Sequence, residues 1–320
     1  MKYIDLHADT VTMLHYPKEN LEKNKRMVTL DAMQQGETAV QCFSAFVPTG
    51  FFPKPFKDTL VWKRFNRIAD KKDMLLKQHS DMLMEVTKAD DIVLCTENGK
   101  TGVVFTIEDL GVIGRDADKL DIAYNRGVRI ASLTWNHENT VAYPNSKKAD
   151  IMNKGIKPFG FEMIEKMNEM GMVIDVSHLS DGGFWDCIKH SKQPIIATHS
   201  NSRAMTNHTR NLTDAMLKAL ADKGGITGLN FAPDFLSGRK DKRSLAEDMV
   251  RHILHIRKIA GSSVLALGSD FDGISGKLEI ATPADMPALA DVLMKGGLSQ
   301  SELEDMFYNN ALRVFREVWK

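Results

Sequence analysis

Cysteine is scarce and scattered in this chain of 320 residues. The three cysteines, Cys42, Cys95 and Cys187, form no CxxC pair, and their number is odd. This pattern argues against a disulfide framework and against a zinc site made of thiolates. Reduced, inert thiols are therefore expected.

Long apolar runs, a net charge and a glycine-rich phosphate loop are also missing. No apolar stretch approaches the ~20 residues that span a bilayer. The first residues, MKYIDLH, leave no room for the charged and apolar regions of a signal peptide. Lysine plus arginine and aspartate plus glutamate each total 42, so no general field attracts nucleic acid or anionic lipid. No GxGxxG motif indicates a dinucleotide site. These absences predict a cytoplasmic protein that binds neither nucleic acid nor membrane.

Short runs rich in valine and isoleucine alternate with helical patterns along the chain. There are eight such runs, at 3–9, 39–47, 102–108, 128–135, 172–178, 194–199, 225–231 and 264–270. Several are apolar almost throughout, which is typical of parallel strands buried on both faces. Eight parallel strands imply closure, so the pattern predicts an α/β fold, the (β/α)8 TIM barrel, and a single domain over residues 1–320.

Between these runs, apolar residues recur with the spacing of helices. Helices are predicted at 58–85 (one long or two), 161–170, 214–223 and 244–259. Two or three additional C-terminal helices are predicted within 286–319, after a loop. Gly171 and Gly224 follow apolar helical patterns, as is typical of residues that end a helix.

Residues that can bind metal fall at the predicted carboxyl ends of the strands. They are His7, Asp9, Glu108, His178, His199 and Asp270. In a (β/α)8 barrel this face holds the active site. His7 and Asp9 lie two residues apart on one strand, so they project to the same face and can share a metal. His178 and His199 follow consecutive strands and suit a second zinc.

Each of these residues alone also has an ordinary explanation, because an HxD pair arises by chance and a lone histidine is commonly a core residue. Their joint placement favours the metal site. Asp272 competes with Asp270, but Gly273 indicates that the chain is already turning, so Asp270 is assigned the chemistry. His252 and His255 lie three apart on a predicted helix and are expected on a solvated face.

Five short motifs, in order and with barrel spacing, resemble the renal (membrane) dipeptidase family of zinc metallopeptidases. They are DLHAD at 5–9, IE at 107–108, DVSH at 175–178, THS at 198–200 and GSDFDG at 268–273. The tail NNALRVF at 309–315 is also similar, so the resemblance extends along nearly the whole chain. It implies a soluble bacterial-type member with an amidohydrolase-like barrel that hydrolyses dipeptides.

The resemblance also implies which residues hold the metals. His7 and Asp9 would bind one zinc, and His178 and His199 would bind the other. Glu108 would bridge both, giving two Zn2+ per subunit. A bridging glutamate separates this family from amidohydrolases that open with HxH and bridge through a carboxylated lysine.

Further roles are implied at two positions that spacing alone does not single out. His137, in LTWNH, would bind the substrate and the developing oxyanion, and Arg210, in HTRN, would anchor the terminal carboxylate of the substrate. In the resulting mechanism a metal-bridging hydroxide attacks the peptide carbonyl. Asp270 receives its proton and passes it to the leaving amine.

Two departures from the family pattern concern the surroundings of the site. This chain has Glu108-Asp109 where many relatives have glutamate followed by glycine, and Ala232 where some carry tyrosine. No role is assigned to Asp109. The change at Ala232 affects the expected side-chain preference more than the reaction type.

Two other functions stay open. One is a related metal-dependent amidohydrolase that acts on N-acyl amino acids or lactams, which the pair His137 and Arg210 argues against. The other is a catalytically silent barrel that binds metal or peptide, which the intact ligand set argues against. Small dipeptides are the expected substrates, while the preferred dipeptide, the native metal and association into a homodimer stay open.

Overall fold

The structure, a computed structural model, describes residues 1–53 and 57–320. Eight parallel strands form the barrel, which we number in chain order: β1 Tyr3–Ala8, β2 Thr38–Phe46, β3 Thr101–Glu108, β4 Val128–Ser132, β5 Val173–Asp175, β6 Ile195–Ala197, β7 Ile226–Leu229 and β8 Leu265–Leu267. Each strand pairs with the next, and β8 pairs with β1 through Leu267 and Asp5. The predicted closed (β/α)8 barrel is confirmed.

Most strands end earlier than their apolar runs. The run 172–178 forms a strand only over Val173–Asp175. Val176 N still donates to Ile196 O of the neighbouring strand, but the following amide, Ser177 N, turns to a side chain. Ser177 N and Thr198 N both donate to Asp175 Oδ1, at 2.9 Å each. The candidate metal ligands of these segments, His178 and His199, therefore lie at the start of the loops that come after the strands.

Helices surround the barrel. They lie at Thr10–Met13, Leu30–Gln35, Lys57–Gln78, Ala89–Glu97, Asp118–Asn125, Ala149–Met152, Pro158–Met170, Asp181–His190, Asp214–Asp222, Pro233–Leu236 and Ala246–Ala260, and then at Met286–Lys295, Gln300–Glu304 and Asn310–Val318. The predicted helix before Gly171 ends there, and this glycine has the left-handed φ of 73° that favours glycine at a helix terminus. The additional C-terminal helices are confirmed.

The helix prediction for 58–85 is wrong at its end. The helix Lys57–Gln78 stops before His79, and the short strand Leu83–Glu85 pairs with the start of β3. Apolar spacing does not distinguish so short a strand from a last helical turn, because the pairing partner lies far along the chain.

The C-terminal helix completes the core of the barrel. One hydrophobic cluster takes at least one residue from each of the eight strands and includes Phe315 and Trp319. Their rings stack with centroids 4.0 Å apart. The three cysteines are free and buried, as expected from their spacing. Among the described residues, no helix is both long enough and apolar enough to cross a membrane.

Candidate metal centre

Glu108 lies at the centre of the cluster of candidate metal ligands, which consists of His7, Asp9, Glu108, His178, His199 and Asp270. Its Oε1 is 2.9 Å from His178 Nε2 and 3.7 Å from His199 Nε2. Its Oε2 is 3.5 Å from His7 Nε2, which in turn is 3.8 Å from Asp9 Oδ1. The two carboxylate oxygens therefore face two different groups of ligands, and strands β1, β3, β5 and β6 bring these groups together at their carboxyl ends.

Two of the side chains at this face are held by unusual backbone conformations. His178 has a φ of 67° and Asp270 a φ of 64°. A positive φ costs a residue that has a Cβ on the order of 1–3 kcal/mol, and such strain persists where surrounding structure enforces it, commonly at functional sites. The loops after β5 and β8 are thus shaped to aim these two side chains.

Hydrogen bonds behind the two loop histidines select their tautomers. Thr198 Oγ1 donates to Asp175 Oδ2 at 2.7 Å, which leaves this hydroxyl oxygen to accept from His199 Nδ1, also at 2.7 Å. His178 Nδ1 donates to Asn136 Oδ1 at 2.9 Å. Because both Nδ1 atoms carry the proton, both Nε2 atoms present a lone pair to the cluster.

A second buried aspartate supports the other side of the cluster. Asp5 accepts hydrogen bonds from Ser269 N at 2.8 Å, from Ser269 Oγ at 2.6 Å and from Gln41 Nε2 at 2.9 Å. Asp5 on β1 therefore ties the residue next to Asp270 to the strand that carries His7. The sequence motifs included Asp5 and Asp175, but pattern alone could not separate a supporting carboxylate from a metal ligand.

Burial and charge tune the protonation of the cluster. Burial, reinforced by the charge of Arg210, lowers the pKa of His178 to about 4 and keeps the pKa of His199 well below its ordinary value. Burial and the neighbouring Glu108 raise the pKa of Asp9. Burial would also raise the pKa of Glu108, but the charge of His7 holds it below its usual range. Burial would lower the pKa of His7, but the carboxylates of Glu108, Asp9 and Asp270 raise it to about 10. The neutral imidazoles of His178 and His199 beside crowded carboxylates form a site suited to a cation.

The donor set fits divalent metal ions. His7 Nε2 and Asp9 Oδ1 are buried, and neither atom has a hydrogen-bond partner among the described residues. Two sets of three ligand atoms, each set within 4.8 Å, share Glu108: His7, Asp9 and Glu108, and Glu108, His178 and His199. Imidazole nitrogen and carboxylate oxygen without thiolate are ligands that zinc accepts. A third set, His7, His199 and Asp270, overlaps both.

A cavity of about 250 Å3 opens onto this cluster. Its lining includes Asp9, Glu108, His178 and Asp270 from the cluster, together with Phe46, Trp135, Asn136, Ala232, Pro233, Asp234, Phe235, Gly273, Ile274 and Ser275. A space of this volume accommodates a small molecule with mixed polar and apolar character. The change at Ala232 noted in the sequence lies in this lining.

Asp270 and Asp272 have different surroundings. Asp270 lines the cavity, its Oδ1 lies 4.0 Å from His7 Nε2, and its Oδ2 accepts from Asn230 Nδ2 at 2.9 Å. Burial raises the pKa of Asp270 to about 6. Asp272 instead accepts from Thr10 Oγ1 and Met27 N, both at 2.7 Å, and joins the helix Thr10–Met13 to the loop of Met27. The geometry favours Asp270 for chemistry at the cluster.

Arg210 is a buried cation with few partners. Its side chain contacts Ser200 Oγ and His199 O only at 3.3 Å, and Nε has no hydrogen-bond partner among the described residues. Burial lowers the pKa of Arg210 to about 10. Its guanidinium also lies 5.4 Å from the ring of Phe235, which lines the cavity. Arg210 is thus a charge behind the cavity wall with unused donors.

Among the described residues, His137 is not one of those that line the cavity. It is half-buried, and its ring lies 4.7 Å from that of Phe51 and 5.6 Å from that of Trp135. The preceding residues, Trp135 and Asn136, line the cavity instead. The substrate contact of His137 stays a prediction, and the geometry points to its neighbours.

Asp109 has a structural explanation. It is fully buried and accepts hydrogen bonds from Thr49 N, Thr49 Oγ1, Gly111 N and Asn139 Nδ2 at 2.8–3.1 Å. These contacts join the loop after β3 to the loops after β2 and β4. The carboxylate that the sequence left without a role therefore holds three loops of the active-site face together.

The expectation of a solvated face for His252 is wrong. This residue is buried, its Nδ1 accepts from Ser202 N at 3.1 Å, and its Nε2 donates to Leu236 O at 2.8 Å. The partners belong to the loop of Ser202 and to the helix Pro233–Leu236, outside the helix Ala246–Ala260, so helical spacing could not reveal them. His255 is half-buried and pairs with Asp214 at 2.8 Å.

Comparisons with known proteins identify the family of the chain. The family model described as membrane dipeptidase, peptidase family M19, matches residues 1–320. An uncharacterized protein from the pqqA 5' region of Klebsiella pneumoniae is 35% identical over 77% of this chain and 93% of its own length. An uncharacterized dipeptidase of Schizosaccharomyces pombe is 30% identical over 89% of this chain and 70% of its own length.

A solved structure shares the fold over its full length. A metallopeptidase from Rhodobacter sphaeroides, with a bound phosphinate mimic of the dipeptide L-Ala-D-Ala, has a TM-score of 0.89 at 24% identity and covers 100% of this chain and 99% of its own. This likeness concerns the fold, and the family model covers the same residues 1–320. The chain belongs to the membrane dipeptidase family, peptidase family M19, and is a metallo-dipeptidase.

Proposed function

We propose that the chain is a single-domain binuclear zinc dipeptidase in which Glu108 bridges the two metal ions. His7 and Asp9 would complete one site, and His178 and His199 the other. The observation that carries this proposal is the position of Glu108, whose two oxygens face the two histidine groups separately. When bound, two Zn2+ would supply an activated water held between them and would polarise the scissile carbonyl.

Asp270 is the proposed proton carrier. It lines the cavity beside the cluster, and the hydrogen bond from Asn230 to Oδ2 leaves Oδ1 directed toward His7. A carboxylate in this position can accept the proton of the attacking water and donate it to the leaving amine. Burial, which raises the pKa of Asp270 to about 6, makes it a better base than a solvated aspartate.

Arg210 is the proposed anchor for the free carboxylate of the dipeptide. Its guanidinium is buried, and a buried cation with unsatisfied donors gains most from an anionic partner. A planar guanidinium can bind a carboxylate through two hydrogen bonds. Such a contact near the cluster would restrict substrates to peptides that end close to the scissile bond.

The proposal is tested by comparing substrate classes with metal-loaded and metal-stripped protein. The panel contains L-Ala-L-Ala, L-Ala-D-Ala, an N-acetyl amino acid and a β-lactam, each at equal concentration. L-Ala-D-Ala is included because the structural neighbour from Rhodobacter sphaeroides carries its phosphinate mimic. We expect zinc-dependent hydrolysis of dipeptides that disappears on chelation and returns with Zn2+.

Faster hydrolysis of the N-acetyl amino acid or the lactam would move the assignment to an amidohydrolase of that type. Zinc binding without turnover of any compound would support a silent barrel. Activity that survives complete removal of metal would contradict the proposed chemistry altogether.

A further inference from the structure

Asn136 connects the cavity to a member of the metal cluster. It lies in the loop after β4, is exposed, and lines the cavity. Its Oδ1 lies 2.9 Å from Nδ1 of His178. A side chain that touches both the cavity and the back of a ligand histidine can influence substrate and metal at once.

The orientation of the Asn136 amide is set by its hydrogen bonds. His178 Nδ1 must donate if its Nε2 is to face Glu108 with a lone pair, so the amide oxygen of Asn136 must point at His178. Asn145 Nδ2 donates to the same oxygen at 3.3 Å. The oxygen is therefore engaged twice, and Nδ2 of Asn136 donates to none of the described residues. In a residue that lines the cavity, this leaves an N–H donor for a ligand.

Asn145 holds this arrangement in place. Its backbone N donates to His178 O at 2.7 Å, and its Nδ2 reaches the same carbonyl at 3.2 Å. Its Oδ1 accepts from Thr209 Oγ1 at 2.9 Å. Thr209 directly precedes Arg210, so the amide pair is fixed between the loop of His178 and the loop of the proposed carboxylate anchor.

The position of Asn136 also identifies the part of a substrate that it can reach. Asp270, the proposed proton carrier, approaches His7, whereas Asn136 contacts His178. The two residues therefore act at different ends of the cluster. A donor at the end away from the proton carrier suits the carbonyl oxygen, where negative charge develops as the peptide bond is attacked.

We propose that Asn136 has two roles: its Oδ1 positions His178 for metal binding, and its Nδ2 donates a hydrogen bond to the scissile carbonyl oxygen of the dipeptide. The second role rests on the proposed function. The first concerns only metal binding. Trp135 and Asn136, and not His137, then form the wall that contacts the substrate.

Two substitutions separate these roles. Asn136→Ala removes both the acceptor for His178 and the donor for substrate. Asn136→Asp keeps an acceptor oxygen for His178 Nδ1 but removes the donor. The side chain is exposed, so both variants should fold, which circular dichroism and the melting temperature of the metal-free proteins check.

The first readout is the Zn2+ affinity of metal-free protein, measured by competition with a chelator. Asn136→Ala should bind Zn2+ about 10- to 100-fold more weakly, as is typical when the partner of a ligand histidine is removed. Asn136→Asp should bind Zn2+ at least as tightly as the unaltered protein. Unchanged affinity in Asn136→Ala would overturn the positioning role.

The second readout is kcat and KM for L-Ala-L-Ala at saturating Zn2+. Both variants should lose about 10²–10³-fold in kcat, because a donor to the developing oxyanion acts mainly in the transition state. Ser275→Asp, which adds a carboxylate to the same cavity without touching His178, measures the effect of charge alone. A kcat in Asn136→Asp equal to or above that of Ser275→Asp would overturn the donor role.

Matched substitutions at Asn98, which caps the helix Ala89–Glu97 away from the cavity, control for loss of an exposed asparagine. Asn98→Ala and Asn98→Asp should change neither readout. If the unaltered protein hydrolyses no dipeptide, the proposed function fails, while the Zn2+ affinities of the Asn136 variants still decide the positioning role.

Discussion

His178 and His199 point their Nε2 atoms at each other across 3.0 Å, above Oε1 of Glu108. Both rings donate from Nδ1, to Asn136 and to Thr198, so both facing nitrogens carry a lone pair. Two lone pairs and a carboxylate oxygen repel one another unless a cation lies among them. The hydrogen bonds of the protein therefore prepare these three atoms as ligands.

The choice of Asp270 as proton carrier is tested by Asp270→Asn. The amide is nearly isosteric and its oxygen can still accept from Asn230, so Zn2+ content should stay close to that of the unaltered protein. Turnover should fall by about 10²–10⁴-fold, because an amide cannot carry the proton. Both are measured on the same preparation, by elemental analysis and by dipeptide hydrolysis.

Asp272→Asn is the matched control for this substitution. Because Asp272 joins Thr10 and Met27, its loss should lower the melting temperature and leave most of the turnover. If Asp272→Asn were inactive and Asp270→Asn active, the assignment would be reversed. Loss of one Zn2+ in Asp270→Asn would make Asp270 a ligand instead of a proton carrier.

The role of Arg210 is tested with a dipeptide whose C-terminus is amidated. Loss of one charge-assisted contact should cost about 1.5–3 kcal/mol, or roughly 10- to 100-fold in kcat/KM. Arg210→Lys should recover only part of the rate on the free acid, since an ammonium lacks the planar fork. Kinetics with both substrates measure these effects.

A double comparison supplies the control for Arg210. Arg210→Met should be impaired on the free acid and show little further loss on the amide, because both changes remove the same interaction. Equal kcat/KM for acid and amide with the unaltered enzyme would favour an N-acyl or lactam hydrolase.

Gly273 is predicted to be required for the shape of the metal cluster. A Cβ at this position would lie 2.4 Å from Asp270 Oδ1 and 2.6 Å from Asp9 Oδ2, closer than real contacts allow. Gly273→Ala should therefore displace these carboxylates and weaken Zn2+ binding, which chelator competition measures. Gly99→Ala, where a Cβ meets nothing within 4 Å but φ is 66°, should lower stability and spare Zn2+ affinity. Equal affinity in Gly273→Ala would contradict the described packing.

His252 should make stability depend on pH. Burial lowers its pKa in the folded protein to about 4, from an ordinary value of 6.5. The neutral ring therefore contributes stability above pH 6.5 that is lost as the pH falls toward 4, in total about 3 kcal/mol at most. Urea unfolding in the presence of a chelator, at pH 7.5 and at pH 4.5, should show a smaller pH effect in His252→Gln.

Lys258→Gln, at an exposed site on the same helix, should keep the pH effect of the unaltered protein. An undiminished effect in His252→Gln would mean that other groups control acid unfolding.

The barrel was predictable because its strands are continuous apolar runs, and those runs also place His7 and Glu108 at strand ends. The loops after the strands were less predictable. Once the chain leaves the sheet, the alternation of side chains no longer tells which of them faces the cavity. The sequence therefore did not single out Asn136, which lines the cavity, and the substrate contact of His137 stays a prediction. Such orientation depends on hydrogen bonds to His178 and Asn145, which lie outside the apolar run that predicts the strand.

Supporting residues were hidden for a related reason. Thr198 and Asp109 act through contacts that join loops from several strands, and one sequence shows neither partner nor distance. His252 was judged from its own helix, whereas its partners belong to the segments of Ser202 and Leu236. Local pattern therefore pointed to the candidate ligands more readily than to the residues that hold them.

The central claim is that the cluster binds two zinc ions that share Glu108, and native mass spectrometry of protein loaded with Zn2+ and freed of excess metal tests it most directly. The mass of the folded subunit counts bound ions without assuming a substrate or a reaction. The account predicts two Zn2+ per subunit in the unaltered protein. One ion or none in fully loaded, folded protein would contradict it.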